Sequence, residues 1–427
     1  MSQKTNFIAE LQWRGMLQDI TPNTENYLLA HQKVKAYIGF DPTASSLHIG
    51  NLATLMLLKH FQLAGHSPIV LVGGATGMIG DPSGKSKERV FLDETTLQHN
   101  IDSQKKQLAQ FLDFEGVENP AEIVNNYDWF KNIGFIEFLR EAGKFINISY
   151  MMGKDSVQKR LETGISFTEF SYQLLQGFDF YWLHQNKECM LQMGGSDQWG
   201  NITTGIELIK KKIGKEVFAL TCPLLTKADG TKYGKSEGGN IWLDPQMTSP
   251  YKFYQYWIKD IEDADIIKFL RVLTLLDRET IENLTTEYAQ NPNGLRRILA
   301  ENITTRVHGK EACQKAIAAS NLLYGKSTLH DFENTDAATL EEVFAGVPQK
   351  RLSKQAVAES ANWVDLMAEV MQISKSDIRR LLKGNGISIN QQKISENDAL
   401  QTPQPKWIKD QYILLQKGKQ YYLIVAA

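Results

Sequence analysis

The sequence predicts an α/β fold built on a parallel, doubly wound sheet over about the first 245 residues. Four short apolar runs predict buried strands: Val34 to Phe40, Ile69 to Val72, Met190 to Met193 and Val217 to Leu220. Helical periodicity follows at Leu52 to Leu63 and at Ile202 to Ile213. Strands that alternate with helices favour a parallel sheet, whose ligands bind at the carboxyl ends of the strands.

Two further regions follow this α/β part. From Ser249 to about Tyr324, aromatic and aliphatic residues recur at helical spacing, which predicts a helical region. Residues 326–350 have a mixed composition with Gly346 and Pro348, and we expect a linker there.

The C-terminal stretch predicts a small α+β module. Ser374 precedes a run that carries Arg379 and Arg380, which is typical of a capped helix. Tyr412 to Leu415 and Tyr421 to Val425 then predict a hairpin.

Composition limits the class of protein. The chain has 427 residues, of which 42% are apolar and 22% charged, as in a globular protein of about two to four domains. Its three cysteines lack paired spacing, which favours a reducing compartment. No apolar run is long enough to cross a bilayer, and the N-terminus lacks the basic head of a signal peptide. We therefore expect a cytoplasmic protein without membrane contact.

Charge is distributed unevenly along the chain. From Lys350 onward, 12 Lys and Arg residues stand against 7 Asp and Glu residues, whereas the rest of the chain carries 35 against 42. A basic module on an acidic body indicates contact with a polyanion. The alternative is a solvated surface without a partner.

The segment 47–51, Leu-His-Ile-Gly-Asn, opens the helix after the first predicted strand. Free backbone N–H groups and the helix dipole favour an anion at such a position. The His48 imidazole and the Asn51 amide can both donate to phosphate oxygens. The alternative is that His48 only caps the helix or lies at the surface.

A glycine-rich segment at 73–86 follows the strand Ile69 to Val72. It fails the P-loop pattern because Gly80 and Gly84 enclose three residues instead of four. Its other glycines also fail the dinucleotide-binding spacing. What remains is either a tight loop that simply needs glycine or a flexible turn that presents Asp81 and Lys85.

Tyr172, Gln176 and Asp179 share one face of a predicted helix. Within their aromatic surroundings they can bind both ends of a small amphiphilic ligand, although a plain amphipathic helix explains them equally. Further on, a strand enters the turn Gly194-Gly195, where Asp197 and Gln198 suit ribose hydroxyls or a carboxylate. An ordinary strand-to-helix turn is the alternative there.

Residues 232–236 read Lys-Tyr-Gly-Lys-Ser in a loop rich in glycine and lysine. Lys232 and Lys235 can close over a pyrophosphate, but most loops of this kind are merely solvated. The other histidines show no ligand spacing, so we predict no metal site. Neither do we find a Ser-His-Asp order with a nucleophile elbow.

In their order and spacing, these motifs closely resemble the bacterial-type tyrosyl-tRNA synthetases, which are class I enzymes. The family's HIGH motif corresponds to residues 48–51 and its KMSKS motif to residues 232–236. Asn51 replaces the second histidine of the first motif, and an amide can donate to phosphate but cannot become charged. Tyr233 and Gly234 replace Met and Ser of the second motif.

The resemblance covers nearly the whole chain and implies four parts. Residues 1–247 form a Rossmann-like class I catalytic domain, and residues 248–325 form a helical domain on the anticodon side. Residues 326–350 are the linker, and residues 351–427 form an S4-like RNA-binding domain.

The resemblance also assigns a role to each site residue. Those expected to bind tyrosine are Tyr37 and Asp179 at the phenolic hydroxyl, Asp81, Tyr172 and Gln176 at the ammonium group, and Gln198 near the carboxylate. Those expected to bind ATP are His48, Asn51 and Thr54 near the triphosphate, Gly195 and Asp197 at the ribose, and Lys85, Arg89, Lys232 and Lys235 around the departing pyrophosphate.

The implied substrates are L-tyrosine, ATP with Mg²⁺, and tRNA(Tyr), without a tightly bound cofactor. A homodimer is implied, with the tRNA bridging both subunits. The expected RNA contacts are Lys154, Lys210, Lys211, Lys212, Lys375, Arg379 and Arg380, acting mainly through phosphates. The lysines at 210–212 can instead be a solvated helix end stabilised by the helix dipole.

Three other functions compete with this one. A tryptophanyl enzyme of the same superfamily is disfavoured by the pair Tyr37 and Asp179 and by the S4-like tail. An RNA-binding protein on an inactive synthetase scaffold is disfavoured by the intact lysines and glycines. A generic nucleotidyltransferase shares the His48 motif but leaves residues 250–427 unexplained.

Overall fold

The computed structural model describes residues 6–83, 92–161, 164–226, 233–236, 239–324, 327–418 and 420–427, with only the backbone of Leu161, Lys235, Ser236 and Tyr324. The chain divides into two compact units, not into the three predicted domains. The first comprises the residues up to Thr248 together with Ile261–Val307, and the second comprises Ser249–Asp260 and His308–Ala427.

The elements of the chain up to Thr248 are, in order, α1 (Phe7–Arg14), β1 (Asp19–Ile20), α2 (Thr24–Ala30), β2 (Lys35–Phe40), α3 (Ile49–Leu63), β3 (Ser67–Val72), α4 (Glu94–Leu108), β4 (Glu122–Asn125), α5 (Tyr127–Phe130), α6 (Phe135–Glu141), α7 (Ile148–Met152), α8 (Asp155–Leu161), α9 (Phe167–Lys187), β5 (Cys189–Gly195), α10 (Trp199–Ile213), β6 (Phe218–Cys222), β7 (Lys235–Ser236) and β8 (Gly239–Asn240). Short 3₁₀ turns occur at Thr76–Met78, Gly143–Phe145 and Ser196–Gln198.

The central sheet has the strand order β1-β6-β5-β2-β3-β4. The four predicted strands correspond to β2, β3, β5 and β6, and these pair in parallel, as β3 does with β4. The sheet is nevertheless mixed, because β1 runs antiparallel to β6 at one edge. The predicted parallel sheet therefore carries one antiparallel strand at that edge.

The strand order reverses between β2 and β5. From β2 the chain steps outward through β3 to β4, whereas from β5 it steps the other way to β6. Right-handed crossovers in opposite directions place their helices on opposite faces of the sheet. A crevice then opens between the carboxyl ends of β2 and β5, and this is where open α/β sheets bind ligands.

The region from 249 to 324 is helical, as predicted. Its elements are α11 (Pro250–Lys259), a 3₁₀ turn (Asp263–Asp265), α12 (Ile266–Leu273), α13 (Arg278–Glu287), α14 (Pro292–His308) and α15 (Lys310–Tyr324). These helices do not form one domain, since α11 and α15 belong to the second unit while α12 and α13 belong to the first.

The described part of the predicted linker, residues 327–350, is folded. It holds α16 (Leu329–Asn334), α17 (Ala337–Phe344) and the start of β9 (Gln349–Leu352). Phe332 and Phe344 are almost fully buried and stack with ring centroids 6.1 Å apart. The linker prediction was wrong because these aromatic residues are spread over two short helices and show no long periodic run.

The second unit ends in a small α+β module. Its further elements are α18 (Lys354–Ala358), α19 (Trp363–Met371), α20 (Lys375–Lys383), β10 (Ile387–Ile389), β11 (Gln392–Lys393), α21 (Glu396–Ala399), β12 (Tyr412–Lys417) and β13 (Gln420–Ala426). Their sheet has the order β11-β10-β12-β13-β9. The predicted cap and hairpin are confirmed: Ser374 Oγ accepts the Asp377 N–H, and Tyr412 pairs with Val425. Within the described ranges, no helix has the length and apolar character needed to span a membrane.

Candidate active site

A cleft of 530 Å³ lies at the carboxyl ends of the central strands, where the strand order reverses. It brings together residues that are widely separated in the sequence. The predicted site residues that line it are Tyr37, His48, Asn51, Thr54, Asp81, Tyr172, Gln176, Asp179, Gly195, Asp197 and Gln198.

The buried end of the cleft holds Tyr37 from β2 and Asp179 from α9, each only 1% exposed. Asp179 Oδ1 accepts a hydrogen bond from Trp129 Nε1 at 3.0 Å, and Oδ2 accepts one from Asn126 Nδ2 at 3.1 Å. The Tyr37 hydroxyl has no hydrogen-bond partner among the described residues. A buried hydroxyl of this kind is a donor that a ligand can satisfy.

Burial sets the protonation of this pair. Loss of solvent raises the pKa of Asp179 well above its usual range, while the hydrogen bonds from Asn126 and Trp129 oppose that shift. Burial also raises the pKa of Tyr37, and the nearby Asp179 carboxylate adds to the effect. Tyr37 therefore remains a protonated donor at neutral pH.

Sequence analysis missed a carboxylate in the middle of the cleft. Asp41 follows β2 and accepts hydrogen bonds from Tyr172 Oη and from Thr76 Oγ1, each at 2.8 Å. The hydroxyl of Tyr172, a residue predicted to bind the ligand, is therefore already hydrogen-bonded to Asp41. The position of an acidic residue directly after a central strand was the signal that could have identified it.

Asp81 and Gln198, predicted to bind opposite ends of an amino acid, contact each other. Asp81 Oδ2 accepts from Gln198 Nε2 at 2.7 Å, and Oδ1 accepts from the Ser83 N–H at 2.9 Å and Asn201 Nδ2 at 3.3 Å. Burial raises the pKa of Asp81, and the bonds from Ser83 and Gln198 work against that change.

Gln192 on β5 is a second residue that sequence analysis did not assign. It is 2% exposed and lines the cleft. Its Oε1 is buried without a hydrogen-bond partner in the described part of the chain. An unpaired buried amide oxygen inside a cleft is a candidate acceptor for a bound ligand.

His48 and Asn51 form a capping box at the start of α3. The Gly50 N–H donates to His48 Nδ1 at 3.0 Å, and the His48 N–H donates to Asn51 Oδ1 at 3.0 Å. With Nδ1 acting as an acceptor, a neutral His48 carries its proton on Nε2. The Asn51 amide likewise presents its NH₂ donors, so capping and phosphate binding use different atoms of the same side chains.

Gly195 and Asp197 lie where β5 turns into the next helix. A Cβ on Gly195 would stand 2.9 Å from Asp197 Oδ1, a distance that real Cβ atoms do not reach. Glycine at this position therefore lets the Asp197 carboxylate lie against the end of the strand. Thr54 lies one turn into α3, where its hydroxyl donates to the Asn51 carbonyl at 2.9 Å.

The side chains of the four predicted phosphate-binding cations lie outside the described residues. Lys85, Arg89 and Lys232 lie outside the described residues. Strand β7 pairs with β8 and places the backbone of Lys235 opposite Asn240, but the Lys235 side chain is not among the described atoms. Nor do the described residues include a group of His, Cys, Asp and Glu side chains that could hold a metal ion.

Most of the predicted RNA contacts already have partners in the fold. Lys154 Nζ donates to Thr203 Oγ1 at 2.9 Å and lies 3.8 Å from the centre of the Tyr150 ring. The ion pairs are Lys211 with Glu207 at 2.9 Å, Lys212 with Glu141, Lys375 with Asp365 at 2.9 Å and Arg380 with Asp377 at 2.7 Å. Lys210 and Arg379 are exposed and have no ion pair within the described ranges.

Two family models match this chain. The model for class I tRNA synthetases (W and Y) matches residues 29–325, and the model for the tyrosine–tRNA ligase SYY-like C-terminal domain matches residues 339–425.

Curated relatives match over nearly the full length. The tyrosine–tRNA ligase of Porphyromonas gingivalis is 54% identical over 431 residues, covering 98% of this chain and 99% of that protein. That of Cytophaga hutchinsonii is 54% identical over 426 residues with the same coverage. That of Bacteroides thetaiotaomicron is 52% identical over 431 residues, covering 99% of this chain and 100% of that protein.

Solved structures agree with the fold. A C-terminally truncated mitochondrial tyrosyl-tRNA synthetase of Aspergillus nidulans has a TM-score of 0.67 at 28% identity, covering 76% of this chain and 95% of that one. Its counterpart from Coccidioides posadasii has a TM-score of 0.64 at 30% identity, covering 74% and 92%. The chain therefore belongs to the class I tRNA synthetase family of the tryptophan and tyrosine enzymes.

Proposed function

We propose that the protein is a tyrosine–tRNA ligase. It activates L-tyrosine with Mg²⁺-bound ATP to form tyrosyl-adenylate and pyrophosphate, and then transfers the tyrosyl group to the 3′ end of tRNA(Tyr). The observation that carries this proposal is the buried pair at the end of the cleft, where the Tyr37 hydroxyl has no hydrogen-bond partner among the described residues and lies near the Asp179 carboxyl group.

This pair fits a phenol. Each oxygen of Asp179 accepts one hydrogen bond from the protein, which leaves a lone pair for the substrate hydroxyl. Tyr37 then donates to the substrate oxygen. Phenylalanine would leave the buried Tyr37 hydroxyl without the partner that the substrate hydroxyl provides, at a cost of about 1–3 kcal/mol. Asn126 and Trp129 orient Asp179 and thereby support the discrimination.

Acidic groups further along the cleft suit the ammonium group of the amino acid. Asp41, Asp81 and Tyr172 line this part, together with Gln176. Gln198 donates to Asp81, so the residues that bind the ammonium group and the carboxylate are joined by a hydrogen bond. The bond holds the two ends of the substrate in a fixed relation, with its carboxylate toward the nucleotide.

The activation step needs no general base, because the tyrosine carboxylate is already an anion. It attacks the α-phosphorus of ATP in line, and catalysis rests on positioning and on stabilisation of charge. His48 Nε2, the Asn51 amide and the first turn of α3, with Thr54, face the triphosphate, while Gly195 and Asp197 bind the ribose.

Four cations act on the leaving group. Lys85, Arg89, Lys232 and Lys235 gather around the pyrophosphate as its charge develops, and they raise the rate because this contact strengthens in the transition state. The Mg²⁺ ion enters with ATP and supplies further charge neutralisation.

The C-terminal module is S4-like and binds tRNA. Its excess of basic residues and its small α+β sheet support this role. Arg379 and Lys210 contact phosphates first, because they are exposed and need break no ion pair within the described ranges. Lys154, Lys211, Lys212, Lys375 and Arg380 contribute by exchanging their present partners for phosphate.

The active form is a homodimer that uses the surface of α6. This helix has no buried residue, and it exposes Phe135, Ile136 and Leu139 by 64%, 69% and 39%. Ile148 and Phe167, also in the first unit, are exposed by 71% and 68%. A second copy of the chain covers the exposed surface of α6, since so large an apolar surface is unusual on a monomer.

The three cysteines are buried and free, which supports a cytoplasmic location.

The direct test is tyrosine-dependent exchange between ATP and labelled pyrophosphate. Exchange is expected to be much faster with tyrosine than with tryptophan or phenylalanine. Exchange with tryptophan would establish the tryptophanyl alternative. RNA binding without exchange for any amino acid would establish an inactive scaffold.

A further inference from the structure

Tyr233 departs from the family motif, which has Met at this position, and its side chain is only 3% exposed. Its hydroxyl donates to Asp265 Oδ2 at 2.5 Å. Its ring meets the Phe269 ring edge-to-face, with centroids 4.8 Å apart. Asp265 ends the 3₁₀ turn before α12 and Phe269 lies within α12, so the loop residue is fixed to a helix that follows it in the first unit.

Backbone hydrogen bonds also hold Tyr233 and its neighbour Gly234 in place. The Tyr233 N–H donates to the Leu225 carbonyl at 2.8 Å, and the Gly234 carbonyl accepts from the Ile241 N–H at 2.8 Å. The Ile241 carbonyl in turn accepts from the Ile49 N–H at 3.0 Å. These bonds join the loop to the start of α3, where the proposed triphosphate-binding residues lie.

Gly234 allows this close approach. Its φ is +92°, and a Cβ there would stand 3.1 Å from Ile49 Cβ and 3.3 Å from the Gly50 nitrogen. Glycine tolerates both the left-handed backbone and the close contact. The dipeptide Tyr233-Gly234 is therefore held between α12 and the turn at residues 48–51.

We propose that Tyr233 is a positioning residue for the activation step, because its hydrogen bond to Asp265 fixes the backbone from which Lys235 reaches the pyrophosphate. The inference rests on the pyrophosphate role proposed above for this lysine. Lys235 follows Tyr233 by two residues, so a change in this backbone moves the attachment point of the lysine side chain. Burial raises the pKa of Tyr233, with Asp265 adding to the shift, so the phenol stays a donor at neutral pH.

The test compares Tyr233→Phe with the wild-type enzyme in single-turnover formation of tyrosyl-adenylate. The substitution keeps the ring against Phe269 and removes only the hydroxyl. We expect the rate of adenylate formation to fall by about tenfold, the value of a lost hydrogen bond to a charged acceptor, with an unchanged Kd for tyrosine. Tyr27→Phe is the matched control, because it removes a tyrosine hydroxyl elsewhere in the first unit; it should leave the rate unchanged.

Two further comparisons separate positioning from packing. Asp265→Asn retains an acceptor for the phenol and should lose less activity than Asp265→Ala. In a Lys235→Ala background, Tyr233→Phe should cost much less than in the wild type, because the group that it positions is gone.

Three results would overturn the inference: a wild-type rate for Tyr233→Phe, an equal loss of tyrosine affinity and rate, or full additivity with Lys235→Ala. A wild-type rate for Lys235→Ala alone would remove the proposed role of that lysine, and the inference with it. Tyrosine-dependent exchange would still establish the ligase in that case, so the two failures are distinguishable.

Discussion

Replacing Tyr37 by phenylalanine should change stability and activity in opposite directions. The Tyr37 hydroxyl is fully buried and has no partner within the described ranges. A buried donor left unsatisfied costs about 1–3 kcal/mol. Tyr37→Phe removes that cost, and we expect the free energy of unfolding to rise by about 1 kcal/mol, the lower limit of that range.

The same change should weaken the use of tyrosine. The substrate phenol gains a hydrogen bond from Tyr37, and a bond between neutral groups contributes about 0.5–1.5 kcal/mol. We therefore expect kcat/KM for tyrosine to fall by about twofold to tenfold. The kcat/KM for phenylalanine, which lacks the hydroxyl, should not fall. The ratio of kcat/KM for tyrosine to that for phenylalanine should therefore decrease by the same factor.

Tyr172→Phe is the matched comparison for stability. Its hydroxyl already donates to Asp41, so its loss should lower the free energy of unfolding by about 1 kcal/mol. Urea denaturation measures both variants, and pyrophosphate exchange with each amino acid measures selectivity. A loss of stability in Tyr37→Phe, or an unchanged preference for tyrosine over phenylalanine, would refute the reasoning.

Three further outcomes are expected. Asp179→Ala should lower exchange with tyrosine by about tenfold to a hundredfold and should also destabilise the fold, because the donors of Asn126 and Trp129 lose their acceptor. Burial lowers the pKa of His60 to about 3. Between about pH 6.5 and 3, His60 therefore takes up a proton in the unfolded chain but not in the folded protein. As the pH falls through this range, the free energy of unfolding should decrease by up to about 1.4 kcal/mol per pH unit. His60→Gln should reduce this slope, as measured by denaturation at pH 7 and pH 5. Ile136→Asp should shift the proposed homodimer toward monomer in sedimentation.

Each of these outcomes has a result that contradicts it. Unchanged exchange in Asp179→Ala would remove Asp179 from the phenol site. An identical acid slope in His60→Gln would assign the acid sensitivity to other groups. If Ile136→Asp sediments like Glu137→Gln, a control on the exposed surface of the same helix, then α6 does not form the dimer contact.

The sequence predicted the central strands because β2, β3, β5 and β6 are buried and therefore show continuous apolar runs. It did not predict β1, which has two residues, or β4, which is only partly buried along its length. Membership of the synthetase family, predicted from the order of the motifs, is confirmed by the comparisons.

Only part of the candidate site could be predicted, because some of its residues are far apart in the sequence. Tyr37 and Asp179 were predicted from the resemblance to the family. Asn126 and Trp129 hydrogen-bond Asp179 from 53 and 50 residues away, and nothing local in the sequence marks them. Asp41, which accepts from Tyr172 and Thr76, was not assigned a role from the sequence. The hydrogen-bond partners of a buried carboxyl group can be identified only from the folded structure.

The central claim is that the buried pair binds the phenolic hydroxyl of the amino acid. A crystal structure of the protein with bound L-tyrosine tests it most directly. We predict that the substrate oxygen lies within hydrogen-bond distance of both Tyr37 Oη and an Asp179 carboxyl oxygen, with the substrate carboxylate pointing toward residues 48–51. An aromatic ring bound away from Tyr37, or a hydroxyl that faces the mouth of the cleft, would contradict the claim.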